Sequence, residues 1–254
     1  MREAAHSDAV LLRSLLPPND SGVPAVCWEV VASEETIGDL LSGLSELDGV
    51  DRQGVVDAAI ARIRLAADIE AEWVKLLEAS LAEAGELVHL EHRLKDPHSL
   101  VRKLASSALR DGITPLEDLA SQINDVLRFT CVSPDELVAT AIAAAEAVLV
   151  GGDVEVAEVL DIFSDGLRYK GFHVTFLGAE GLPVEVQFHS TTSLRVCDET
   201  HDDYEIFRDR TGRSRRERQE AERRMVEASR RIGRPPGLPE AVGDILAQVI
   251  LPRI

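Results

Sequence analysis

The sequence predicts an α+β fold: a mixed, mostly antiparallel β-sheet of about five strands flanked by helices, with further helices at both ends of the chain. Three observations carry that expectation. Segments of helical period open on capping residues, at Ser33, Asp96-Pro97, Thr114-Pro115 and Ser133. Other segments alternate strictly, as "ELVHLEHRLK", "YKGFHVTFLG" and "LPVEVQFHS" do. The last two are joined only by the connection from Gly178 to Gly181, which reads as a hairpin.

Taken in order, "VPAVCWEVVA" is a short strand or a packed loop, and Ser33 caps a helix over "EETIGDLLSGLSELD". From Gln53 to Glu83 the apolar residues Val56, Ile60, Ile63, Ile69, Trp73, Leu76, Leu77 and Leu81 recur at helical spacing, and Gly85 is a natural stop. "ELVHLEHRLK" reads as a strand with Val88, Leu90 and Leu94 on one face, running into a loop. Asp96 then caps a helix whose first residue is Pro97 and which Gly112 closes. Thr114, Pro115 and Glu117 form a capping box for the next. "NDVLRFTCV" is a short apolar strand with Asp125 at its entrance, and Ser133 caps a helix ending at Gly151-Gly152. "VEVAEVLDIFS" fits strand or helix. "YKGFHVTFLG" turns Phe172, Val174 and Phe176 inward. "TTSLRVCDETHDDYEIFRDR" fits one helix with Cys197, His201, Tyr204 and Arg208 on a shared face. The stretch from Arg213 to Arg231 is an Arg/Glu-rich helix whose interleaved charges suit a solvated surface.

Composition narrows the class. The 254 residues, 45% of them hydrophobic, suit one large domain or one domain with an appendage. A net charge of -18 argues against a general nucleic-acid or membrane-surface binder, but leaves room for a basic pocket that takes a small anion. Aromatics at 4% offer little on which to stack single strands. Cys27, Cys131 and Cys197 lie far apart with no CxxC, which reads as a reducing compartment and no zinc site. "MREAAHSDAVLLRSLLPPND" makes a poor secretory leader and no later segment could span a bilayer, so the expected location is cytoplasmic.

The strand "VEVQFH" poses the functional question. Val184, Val186 and Phe188 face one way; Glu185, Gln187 and His189 face the other, either into water or into a cleft. Arg93 and Lys95 share one face of their expected strand, and Ser99, Arg102 and Lys103 occupy the first turns of a Pro-started helix. Free N–H groups, a hydroxyl and nearby cations at a helix N-terminus suit phosphate. Asp125 and Glu185 are carboxylates at strand positions of the kind a Mg²⁺ ion bridging phosphates uses, since Mg²⁺ takes one or two carboxylates beside phosphate and water.

In chain order, "RLKDPHSLVRK", "INDVLRF", "YKGFH", "VEVQFHS" and "DETHDDY" resemble the synthetase domain of the RelA/SpoT family of alarmone synthetases, over roughly Glu86 to Arg210. The differences, "QFH" and the compact "NDVLRFT" among them, look like the divergent small, toxin-like branch. The resemblance implies a nucleotidyltransferase-like synthetase fold and a cytoplasmic nucleotide pyrophosphokinase. Such an enzyme moves pyrophosphate from ATP to the 3′-hydroxyl of an adenine or guanine acceptor nucleotide with Mg²⁺, in (p)ppGpp- or (p)ppApp-type synthesis. It implies that Arg93, Lys95, Ser99 and Lys103 hold the donor phosphates and that Arg128 helps hold the donor nucleotide. Asp125 and Glu185 would hold Mg²⁺, with Glu185 also activating the hydroxyl. Tyr169 would stack on the acceptor base, and Gln187 and His201 would support the acceptor side. Two departures stand out. Asp125 and Arg128 are closer together than in the family, on opposite faces of a straight strand. In "GFHVTF", Phe176 stands where the family carries a His, with His173 nearby.

This reading divides the chain into a helical N-terminal extension (1–84), the synthetase core (85–210) and an Arg-rich C-terminal helix and tail (211–254). A toxin would require a neutralising protein as partner, and small synthetases of this kind often form homo-oligomers. Two alternatives remain: pyrophosphorylation of RNA or tRNA 3′ ends, with the Arg-rich helix on the RNA backbone, and an inactive relative that binds nucleotide or a partner protein as a regulator.

Overall fold

The computed structural model describes residues 34–44, 51–81, 83–111, 115–150, 154–178, 180–209 and 212–238. In chain order the elements are α1 (Glu34–Gly43), α2 (Arg52–Leu81), β1 (Glu86–Val88), a 3-10 turn (Leu90–His92), α3 (Pro97–Asp111), α4 (Leu116–Ser121), β2 (Leu127–Ser133), α5 (Val138–Val150), β3 (Glu155–Asp161), β4 (Phe172–Leu177), β5 (Pro183–Ser190), α6 (Thr191–Glu199), α7 (His201–Arg208) and α8 (Arg215–Ser229). The strands form one five-stranded sheet in the order β1-β2-β5-β4-β3. β1 pairs with β2, and β3 with β4, antiparallel. The α+β class expected from the sequence is the class observed.

Two compact units alternate along the chain. Among the described residues the first draws on 34–73, 89–128 and 180–184, and the second on 74–88, 129–178 and 185–238. In the first, α1 and α4 both pack on α3. Asp96 caps α3 as expected, its Oδ2 accepting from the Ser99 N–H at 2.8 Å. α2 is a single helix from Arg52 to Leu81, stopped where the Ala84 and Gly85 N–H groups donate to the Leu81 carbonyl.

The second unit holds most of the sheet. Its core contains Phe129, Phe172, Phe176 and Phe188, all fully buried, with Val174 and Val186. The inward set foreseen on β4 and β5 is thus the buried set. β5, central in the sheet, is covered along nearly its whole length, while the edge strand β3 is largely exposed. "VEVAEVLDIFS" resolves as strand β3, with an irregularity between Val156 and Glu158. α5 packs on β3, and α6, α7 and α8 pack together. α8 opens on a complete capping box of Ser214 and Glu217 and buries Ala221, Met225 and Ser229.

Three expectations are corrected. The strand from Glu86 ends at Val88: His89 takes a left-handed backbone (φ 55°), which His tolerates better than branched residues, and a 3-10 turn follows. Val88, Leu90 and Leu94 therefore share no strand face, and neither do Arg93 and Lys95; Leu94 regains one bridge, to Leu127. α5 begins at Val138 rather than after Ser133. Ser133 ends β2, and the Asp135 carboxylate is drawn to the Thr192 N–H at 3.2 Å, at the start of α6. α4 starts behind Pro115. The helix expected across 191–210 is two, α6 and α7, broken at Thr200. The Thr200 hydroxyl donates to the Val196 carbonyl at 2.8 Å, the side-chain-to-backbone competition that disfavours Thr within helices. Cys197, on α6, thus shares no helix with His201, Tyr204 and Arg208. The readings placed on "VPAVCWEVVA", Cys27, Ser33, Gly112, Thr114 and Gly151-Gly152 lie outside the described residues.

Burial pushes the Cys131 and Cys197 thiols up to about 12, so both stay protonated near neutral pH. No helix among the described residues is long and apolar enough to cross a membrane. Phe176→Ala should cost about 3–5 kcal/mol of stability, measured as a lowered midpoint in urea unfolding.

Candidate active site

The expected site residues fall into two clusters, one in each unit. The first is built around Asp125, just before β2. The Arg128 N–H donates to the Arg93 carbonyl at 2.7 Å and the Lys95 N–H donates to the Val126 carbonyl at 2.9 Å, which fixes Lys95 beside Asp125. Lys95 Nζ donates to Asp125 Oδ2 at 2.5 Å, and Lys103 Nζ, one turn after Ser99 on α3, donates to Oδ1 at 2.8 Å. Partial burial resists ionisation of Asp125, but hydrogen bonds from Lys103 and Lys95, with their charges, outweigh it and hold the carboxyl below the usual range. The cluster therefore holds two ammoniums on one carboxylate beside the first turn of α3, where the Asp96 carboxylate already takes the Ser99 N–H. That is a phosphate-binding chemistry inside an acidic chain.

Arg93 is placed differently from Lys95. It is buried and lies against Glu70 of α2, with Nε to Oε2 at 2.6 Å, Nη2 to Oε1 at 2.9 Å and Nη1 to the Leu90 carbonyl at 2.6 Å. A bidentate guanidinium–carboxylate pair of this kind is rigid and locks the 90–95 segment onto α2. Arg128 is half-buried on β2.

The second cluster is built on β4 and β5. Glu185 is 8% exposed, and its Oε1 faces His173 Nδ1 at 3.2 Å and accepts from Gln187 Nε2. The Tyr169 hydroxyl lies 2.7 Å from His173 Nε2 and 2.8 Å from His189 Nε2. His189 Nδ1 lies 3.1 Å from Ser193 Oγ in the first turn of α6. The polar face of β5 is therefore not a solvated one. The segment around Tyr169 is pinned from the end of α8 and the residues after it: the buried Lys170 ammonium donates to the Ile232 carbonyl at 2.9 Å, and the Ser229 hydroxyl donates to the Leu167 carbonyl.

Glu185, Gln187 and Tyr169 are thus brought together, and so are Asp125, Lys95 and Lys103. His201 is exposed in the first turn of α7, outside both sets. Phe176 lies in the core, while His173 from the same block reaches Glu185. Sequence reasoning gave no role to Glu70 or His189. Glu70 carried a signal: it falls in helical register with the buried Ile63, Ala66, Trp73 and Leu77, an acid on an apolar stripe.

The Arg-rich helix spends its charges locally. Arg213 faces Glu217 and Arg223 faces Glu220, while Arg224 and Arg231 reach Asp203 and Glu199 on α7 and α6. By donor type, Asp125 and Glu185 each offer a hard carboxylate oxygen suited to Mg²⁺, although at Asp125 a cation would have to displace an ammonium.

No family model matches the sequence, and no curated protein matches it. Among solved structures the chain is similar to the Type VI effector Tas1, seen in complex with its immunity protein: 19% identity, over 68% of this chain and 96% of that one, TM-score 0.45. It is similar to the small alarmone synthetase 1 from Bacillus subtilis at 15% identity, over 74% of this chain and 96% of that one, TM-score 0.45. It is also similar to a GTP pyrophosphokinase family protein from Streptococcus pneumoniae at 11% identity, over 73% and 90%, TM-score 0.42.

Glu70→Leu should cost about 3–5 kcal/mol, because it removes the carboxylate that meets the buried Arg93 guanidinium with two hydrogen bonds. The double variant with Arg93→Met should be more stable than Glu70→Leu alone. Urea unfolding of wild type, the two single variants and the double variant completes the cycle.

Proposed function

We propose that this protein transfers pyrophosphate from ATP to the 3′-hydroxyl of an acceptor nucleotide. The observation that carries the reading is the convergence of Lys95 and Lys103 on Asp125 beside the start of α3. The ordered motif blocks and the caged Glu185 support it.

In this reading Lys95, Lys103 and the Ser99 turn hold the donor phosphates, with Arg128 on the donor nucleotide. Arg93, committed to Glu70, holds Lys95 in place from behind. Glu185 takes the proton of the 3′-hydroxyl. The hydroxyl oxygen then forms a bond to the β-phosphorus as the bond from that phosphorus to the α,β-bridging oxygen breaks, and AMP leaves with the electron pair. Gln187 orients Glu185, the Tyr169 ring faces the acceptor base, and His201 is assigned to the acceptor side. Asp125 and Glu185 are the assigned ligands of Mg²⁺, which supplies neutralisation of the phosphate charge. The protein's own part is positioning and electrostatics, which is how phosphoryl-type transfers are accelerated. A neutralising protein partner belongs to this reading if the product is toxic to the cell that makes it.

The test incubates the purified protein with labelled ATP, Mg²⁺ and AMP, ADP, ATP, GDP, GTP or uncharged tRNA in turn. Release of AMP with label on one acceptor is expected, and Glu185→Gln should lower that rate by at least about a hundredfold. Nucleotide binding without transfer to any acceptor would contradict the proposal and leave a nucleotide-binding regulator.

A further inference from the structure

The loop from β3 to β4, residues 162–171, carries Tyr169 and has little to hold it from within. Ser164 to Arg168 are all exposed, and only Phe163, Lys170 and Gly171 are buried. Its base is closed by the Ile162 N–H on the Gly171 carbonyl at 3.0 Å. A coil segment with so few buried groups opens easily. What fixes it comes from the stretch between α8 and Leu238, whose ties reach the loop along its length. Arg234 closes on the Asp161 carboxylate at the start of the loop, and Asp161 Oδ1 also accepts the Phe163 N–H at 3.1 Å. The Ser229 hydroxyl, which also faces the Val226 carbonyl of its own helix at 2.9 Å, meets the Leu167 carbonyl. The Arg168 guanidinium lies 4.4 Å over the Phe207 ring of α7, with Nη1 3.8 Å from Glu222 of α8. The Lys170 ammonium donates to the Ile232 carbonyl at 2.9 Å and to Asp165 Oδ1 at 3.2 Å.

Lys170 is the tie with the most hold on Tyr169. Its side chain is 3% exposed, so water is a poor substitute for the Ile232 carbonyl and the charge keeps the contact. Asp165 is fully exposed and adds little. Ile232 is itself buried, as is Leu238 beyond it, so the accepting end is anchored. Neighbouring side chains part at this point. Lys170 goes to the end of α8, while the Tyr169 phenol goes to His173 on β4 and His189 on β5. The phenol also lies against the backbone of this segment, since a Cβ at Gly171 would be 2.9 Å from its hydroxyl. A shift of the backbone at 170 and 171 therefore moves the Tyr169 ring.

We propose that Lys170 and Ser229 are positioning residues that set the Tyr169 ring for the acceptor, and that the stretch from α8 to Leu238 is therefore part of the acceptor side rather than an appendage to it. The proposal rests on the pyrophosphokinase reading for what the ring meets; the ties themselves do not.

Lys170→Met removes one tie while keeping a long side chain in the buried site, and Ser229→Ala removes another with a residue that suits a helix. In the transfer assay each should raise KM for the acceptor about 5- to 50-fold, the scale of a weakened base–aromatic stack, with KM for ATP changed less than about twofold. In a Tyr169→Ala background the same substitutions should add less than about twofold, because they act through the ring. A signature independent of turnover is also at hand, since the chain has two tyrosines, Tyr169 and Tyr204. Fluorotyrosine-labelled protein should give one fluorine resonance for each, assigned with Tyr204→Phe. Both variants should move or broaden the Tyr169 resonance and leave that of Tyr204 in place. Unchanged acceptor KM, undiminished effects in the Tyr169→Ala background, or both resonances shifting together as in general loosening would each overturn the proposal. Absence of transfer by the wild-type protein would instead remove the pyrophosphokinase reading, and the fluorine spectra would still decide the clasp.

Discussion

A carboxylate on a central, covered strand must be met by donors or lose its charge. Glu185 sits under that constraint, and much of the second unit follows from it. His173 reaches across from β4 and Gln187 rises from the same face of β5. The imidazole then needs a partner of its own, which Tyr169 supplies, and the phenol needs a second imidazole. Gly171 is small because the phenol passes over it. Lys170 and Ser229 tie the loop that carries Tyr169 to the end of α8. α8 thus helps hold the polar face of β5, and two of its arginines, Arg223 and Arg224, pair with Glu220 and Asp203.

The first unit solves the opposite problem, gathering positive charge in a chain of net charge -18. Two lysines converge on Asp125, which keeps the pair together beside the start of α3. Behind them, Arg93 and Glu70 cancel one another in the interior. Such a pair adds little net stability against an apolar substitute, but it fixes geometry, which is what the placement of Lys95 requires.

β4 and β5 were legible because alternation survives in them: Phe172, Val174 and Phe176, then Val184, Val186 and Phe188, lie where parity placed them. The cap at Asp96-Pro97 was legible because it is local. The break at His89 was not, since a left-handed residue that is not Gly or Asn leaves no pattern in the alternation around it. Neither was the break at Thr200, where one side chain turns on its own helix. The clusters were half legible. Their acids and bases could be named from motif order, but pairing is a property of distance in space. Glu70 lies 23 residues from Arg93, and His189 lies 20 from Tyr169. His173 was visible beside Phe176, but only β4–β5 adjacency puts it on Glu185.

The proposed donor side requires that the two lysines around Asp125 receive phosphate. The most direct measurement is calorimetric titration of a non-hydrolysable ATP analogue into wild type and Lys103→Met, at fixed salt and Mg²⁺. Loss of one charge-assisted contact should weaken binding by about 10- to 100-fold while leaving the unfolding midpoint nearly unchanged, since the Lys103 side chain is 44% exposed. Equal affinities in the two proteins would mean that Lys103 and Asp125 are a surface ion pair and that the donor side lies elsewhere.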